Sequence, residues 1–188
     1  MRDLLRVAAV AVVMAGVGTS DGAAQKKAEK VVERAFGANS TDIGPVIGLG
    51  GIGSAGLSFG GRFERAIKRL PNLGDGILAL QVSADYYSYS TKFATIDYKF
   101  KYIPIGVTAN YHIKVNDAKF DPFVGLGVGY SIVSGSYSGV GASASAAYFI
   151  GRAGLRYYMA SGVAIYGDVG AGAATLNAGL MFKLSGNK

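Results

Sequence analysis

Asn177-Ala178-Gly179-Leu180-Met181-Phe182-Lys183-Leu184 decides how this chain is read. Leu180, Phe182 and Leu184 stand two residues apart, with Asn177 and Lys183 on the alternate positions. A period of two is the period of a β-strand whose faces meet different surroundings. Seven earlier runs repeat the pattern. Strands are predicted near 45–53, 56–67, 77–89, 98–113, 121–133, 147–159, 163–171 and 174–184. Turn-forming stretches divide them: Pro71-Asn72-Leu73-Gly74-Asp75-Gly76, Asn116-Asp117, Ala160-Ser161-Gly162 and the Ser/Gly-rich run from Ser134 to Ser145. Several strands are long for a soluble sandwich, whereas a tilted membrane strand takes roughly 9–11 residues.

The faces separate cleanly. Leu57, Phe59, Phe63 and Ile67 oppose Ser58, Arg62 and Glu64; Leu78, Leu80, Val82, Ala84 and Tyr86 oppose Gln81, Ser83 and Asp85. Val124, Leu126, Val128, Tyr130 and Ile132 oppose glycines and Ser131, while Phe149, Ala153, Leu155 and Tyr157 oppose Arg152 and Arg156. Alternation alone does not say which face is outside. Two features place the apolar face outward. Glycines share the charged face of the fifth strand, as a tight interior requires. Aromatics on the apolar face gather near strand ends, as they do at lipid–water boundaries. Phe63, Tyr111, Tyr157 and Phe182 fall at one rim, with Tyr86 and Tyr130 toward the other.

The fold expected is therefore all-β: an eight-stranded antiparallel up-and-down transmembrane β-barrel. A barrel of this size is just wide enough for side chains to fill. The inward charges expected are Arg62, Glu64, Asp85, Arg152, Arg156, Asp168 and Lys183. Buried charges need partners, so a bridged polar plug is the first reading of the lumen. A narrow selective pore filtered by the same charges is the second.

The barrel is assigned to residues 44–188. Ahead of it, Arg2 and Arg6 precede the apolar run Val7 to Gly18, and Gly22-Ala23-Ala24 supply small residues for cleavage. That is the pattern of a secretory signal peptide, residues 1–24. Residues 25–43 read as a periplasmic tail, either a short amphipathic helix or a disordered leader. Ala28, Val31, Val32, Ala35 and Phe36 fall at helical spacing opposite Lys27, Lys30 and Arg34. No cysteine is present, which excludes lipid attachment at cysteine, disulfides and thiolate metal sites. The formal charge is +7. The cations are mostly scattered singly, which suits anionic lipid headgroups better than nucleic acid.

No catalytic, cofactor or metal constellation stands out. His112 is the single histidine and has no acidic cluster beside it in the sequence. It is expected near the periplasmic rim, without a metal and without a serine triad. Gly48-Leu49-Gly50-Gly51-Ile52-Gly53 lacks the strand–turn–helix setting of a phosphate loop. The stretches Thr91 to Asp97 and Ser134 to Ser145, with Tyr137, are expected as exposed outer loops, the usual place for a surface ligand to bind.

Three stretches carry a family likeness: Tyr102-Ile103-Pro104-Ile105-Gly106-Val107, the run Phe120 to Tyr130, and Gly154-Leu155-Arg156-Tyr157-Tyr158. With them the chain resembles the small bacterial outer-membrane β-barrel domain family, the eight-stranded opacity-, OmpX- and OmpW-like proteins. The last strand is similar to that family's assembly signal, with Asn177, Gly179, Phe182 and Leu184 in its places, although the chain continues through Ser185 to Lys188. The resemblance implies outer-membrane lipids and the insertion machinery as partners, and both termini in the periplasm. It implies a non-enzymatic role in envelope structure or surface interaction. A small-solute pore is the alternative, and a lipid-modifying barrel enzyme the most remote.

Overall fold

A computed structural model describes residues 34–51, 56–93, 96–137, 140–160 and 162–185. The expected signal segment and the tail up to residue 33 lie outside the described residues. Eight strands follow one another: β1 Thr41–Leu49, β2 Leu57–Leu70, β3 Gly76–Phe93, β4 Ile96–His112, β5 Phe120–Tyr137, β6 Val140–Ala160, β7 Val163–Ala171 and β8 Leu176–Ser185. Each pairs antiparallel with its neighbour in sequence, and β1 pairs with β8 to close the ring.

The alternating pattern explains the closure. Leu126 is 75% exposed and Phe149 86%, on the outside, while Arg156 on the enclosed face is 0% exposed. The same parity holds around the ring: Ile43, Phe63, Val82, Ile105, Val128, Ile165 and Leu180 face out, and Asp42, Arg62, Gln81, Thr108, Tyr166 and Asn177 are buried. Glycines on the inner face of β5 and β6 make room for large neighbours. A Cβ on Gly129 would collide with the Tyr148 ring, and one on Gly154 with the Phe123 ring.

Three boundaries differ from the sequence reading. Both expected outer loops are mostly strand: the β3–β4 ladder runs to Phe93↔Ile96, and the β5–β6 ladder to Tyr137↔Val140. Serine, glycine and alanine have weak strand preferences, but the ladder bonds use only backbone groups, so pairing continues through them. The third concerns the tail. Residues 34–40 form bends and turns rather than a helix, and β1 begins at Thr41. Gly37 N–H donates to Ser40 Oγ at 2.8 Å, and Ser40 C=O accepts from Ala66 N–H at 2.9 Å. These bonds draw the segment onto β2.

The strands approach closely at the β1–β8 seam. Its ladder passes from Ile43↔Phe182 to Val46↔Gly179, leaving Gly44 and Pro45 without direct partners in β8. Pro45 has no N–H to give. A Cβ on Gly179 would strike the Pro45 carbonyl, and one on Gly44 the Leu180 carbonyl. Glycine here is a requirement of strand approach.

Candidate functional site

The enclosed face carries two polar layers. The middle layer is built by β2, β3, β6, β7 and β8. Arg62 Nη1 donates to Asp85 Oδ1 at 2.9 Å and its Nη2 to Asn177 Oδ1 at 3.2 Å. Asn177 Nδ2 donates onward to Asp168 Oδ1 at 2.9 Å. Arg152 and the Tyr166 hydroxyl also donate to Asp168, and Arg152 Nη1 reaches the Ala174 carbonyl at 2.8 Å. Above this layer, the β7–β8 turn leans inward, where Tyr87 donates to the Ala173 carbonyl at 2.5 Å. A void of about 20 Å³ remains among Arg62, Asp85, Tyr148 and Arg152. That is room for about one water molecule.

The terminal layer lies nearer the end where β1 enters and β8 leaves. Glu64 is its centre: Arg156 Nη2 donates to Oε2, Gln81 Nε2 to Oε2 at 3.0 Å, and Asn110 Nδ2 to Oε1 at 2.9 Å. His112 bridges two carboxylates, with Nε2 2.8 Å from Glu64 Oε1 and Nδ1 2.8 Å from Asp121 Oδ1. Arg156 Nη1 reaches Asp42 Oδ2 at 3.1 Å, and the Tyr158 hydroxyl donates to the same oxygen at 2.6 Å. Lys183 stands opposite Asp42 in the β1–β8 register, its ammonium 5.8 Å from the Tyr158 ring centre. Three aromatic rings surround the Arg156 guanidinium: Phe36 at 4.9 Å, Phe123 at 5.7 Å and Tyr166 at 5.9 Å. Cations favour ring faces, more so once water is excluded.

The structure places the sequence-selected residues as follows. Arg62, Glu64, Asp85, Arg156 and Asp168 are buried on the enclosed face; Arg152 and Lys183 share that face, half-buried. Asn177 joins the middle layer, Gly179 sits in the seam, and Phe182 and Leu184 face outward. Phe63, Tyr86, Tyr130, Tyr157 and Phe182 are exposed on the outer face. Tyr111 is half-buried, and its hydroxyl donates to the Leu73 carbonyl in the β2–β3 turn.

One reading is corrected. The sequence surroundings of His112 suggest no acidic neighbours, yet Glu64 and Asp121 both touch it and it is buried. The barrel brings β2 and β5 against β4, and sequence distance does not reveal that. Asp42, Gln81, Asn110, Asp121, Tyr158 and Tyr166 complete the two networks and were not singled out. Strand parity finds Asp121, because it shares a face with Gly125. Asp42 stays hidden when the first strand is started at residue 45, four residues late. Among the described residues, no three or more His, Asp or Glu side chains are grouped so as to hold a metal ion.

No family model and no curated protein matches this chain. Solved structures do. The N-terminal β-barrel domain of Pseudomonas aeruginosa OprF aligns with a TM-score of 0.52 and 16% identity, over 79% of this chain and 100% of that one. Neisserial surface protein A aligns at 0.48 and 18%, over 77% and 95%. The attachment invasion locus protein Ail of Yersinia pestis aligns at 0.47 and 15%, over 77% and 93%. Strand number, order and closure, taken with the OprF alignment, give this chain the fold of the eight-stranded outer-membrane β-barrels.

Proposed function

We propose that this protein is a non-enzymatic outer-membrane β-barrel whose lumen is a neutral polar plug, and that it serves envelope structure or surface interaction. The observation that carries the reading is the inversion of polarity. Large apolar side chains such as Leu126 and Phe149 point away from the axis, while arginines and carboxylates pair inside. Water does not favour such a surface in a monomer, and hydrocarbon does. Export would use the segment 1–24. An even number of strands puts both chain ends at one side, which we assign to the periplasm. The long β3–β4 and β5–β6 hairpins then rise on the cell surface as the place for a partner to bind.

Against a pore stand the two hydrogen-bonded layers across the lumen, with a void of only water size beside the middle one. Against an enzyme stands the lack of a nucleophile among the recorded contacts of His112, which are two carboxylates and two phenyl rings. Two measurements test the reading together. Membrane fractionation with gel mobility before and after boiling should show a heat-modifiable species in the outer-membrane fraction. The purified protein in planar bilayers should give no steady conductance steps. A soluble, boiling-insensitive protein, or stable channels, overturns the corresponding half.

A further inference from the structure

The segment before β1 reaches back into the barrel. Phe36 is 1% exposed, although residues 34–40 have no regular secondary structure. Its ring stacks on His112, with centroids 4.1 Å apart and planes 20° apart, and lies over the Arg156 guanidinium. Ala35 N–H donates to the Ala118 carbonyl at 3.1 Å in the β4–β5 turn, and Arg34 Nη2 to the Asp75 carbonyl at 2.7 Å in the β2–β3 turn. The segment thus spans the terminal mouth, with Phe36 as its inward point.

What holds Phe36 is a histidine between two carboxylates. A neutral imidazole has one N–H and one bare nitrogen. Only the imidazolium can donate to Glu64 and Asp121 together. Charge balance asks for the same form. Asp42 from β1, Glu64 from β2 and Asp121 from β5 face Arg156 from β6 and Lys183 from β8. β3 and β4 contribute only the amides of Gln81 and Asn110, and β6 and β7 the phenols of Tyr158 and Tyr166. Two fixed cations meet three carboxylates, and a charged His112 makes the layer neutral. Loss of its proton leaves a buried negative charge, sets a bare nitrogen against a carboxylate, and removes one of the two cations on the Phe36 ring.

We infer that residues 34–40 are a proton-dependent stopper: Phe36 closes the terminal mouth of the lumen while His112 carries both ring protons, and unseats when it loses one. The inference needs only the folded barrel and not its cellular location, so it fails separately from the proposed function.

The chain offers clean probes. It contains no tryptophan and one histidine. In tag-free F36W protein, the introduced indole is the only one. Between mildly acid and mildly alkaline buffers its emission should move to the red and its acrylamide quenching rise several-fold. In F36W/H112Q, whose amide does not titrate, that transition should vanish. An indole sheltered, or exposed, at every pH overturns the inference, as does an unchanged transition in F36W/H112Q. Folding of each variant is checked by heat-modifiable mobility. Should either variant not fold, the wild type decides. The ¹⁵N signals of the single imidazole must show two protonated nitrogens while the Phe36 ring signals keep their ring-current shifts, and both must change at one pH. Two separate transitions overturn the inference.

Discussion

The two lumen layers solve one electrostatic problem in different ways. In the middle layer Arg62 and Arg152 meet Asp85 and Asp168, so fixed cations and carboxylates match in number. In the terminal layer the third positive charge comes from His112, whose ring carries it only while both nitrogens are protonated. Arginine always keeps its proton. The middle layer's positive charges are therefore fixed, while the terminal layer is neutral only when His112 is the imidazolium. The difference coincides with position. The fixed layer lies deep in the barrel, and the other lies at the mouth that residues 34–40 cover.

Removing a fixed cation should have the largest effect. Arg156→Leu strands Asp42 and Glu64 in a buried site, and breaking such a pair costs roughly 3–5 kcal/mol. Urea unfolding in lipid vesicles measures the loss. In the middle layer, Arg62→Met alone should likewise be costly, whereas Arg62→Met with Asp85→Leu should recover most of that loss, because both charges leave together. A double variant as unstable as the single one would show that the layer is held by something other than charge pairing.

Next in size is a charge on the wrong face. Leu126→Arg sets a cation amid the exposed apolar band, and a midplane cation costs roughly 2–4 kcal/mol. The same urea titration should show this penalty in vesicles, and it should shrink for Leu184→Arg, which lies close to the rim. Equal penalties at both positions would deny the band a hydrocarbon setting. Smaller again is Gly179→Ala. The added methyl meets the Pro45 carbonyl, and overpacking costs about 1–3 kcal/mol. The loss should exceed that of Ala178→Gly on the outer face of the same strand.

These comparisons also mark what could be read in advance. Parity alone put Arg62, Glu64, Asp85, Arg156 and Asp168 on one face, because a strand's period is fixed by backbone geometry. Parity does not give height along the axis or neighbours across the ring. So His112 looks isolated along the chain, while strand pairing sets it between Glu64 and Asp121. Phe36 was legible only as part of a helical pattern. Its true place depends on a cavity that exists only after eight strands close, and no local pattern encodes that. The outer loops differ for the opposite reason: composition argues for a loop at Ser134 to Ser145, while backbone pairing with the adjacent strand decides the outcome.

The smallest effect expected lies on the outer end of the stopper. Asp75, at φ 58°, closes the β2–β3 turn. Hydrogen bonds from Arg69 and Lys114 hold its carboxyl below the usual carboxylate range, and Arg34 of the stopper approaches it at 3.6 Å. A carboxyl with a lowered native pKa stabilises the fold above its unfolded value, about 3.9, and loses that contribution as pH falls below it. The sign is opposite to that at His112, where rising pH removes the attraction. The stopper should therefore be seated best between two limits. Only well below about pH 4, where the held-down carboxyl at last takes up a proton, should the indole of F36W become slightly more accessible to acrylamide, and Asp75→Asn should produce the same small increase at neutral pH without moving the alkaline transition. Because this clasp lies in solvent, raising the salt to about 1 M should weaken it, while the His112 transition, buried under Phe36, should change little. An acid limit that survives both Asp75→Asn and high salt would assign it to the buried carboxylates instead.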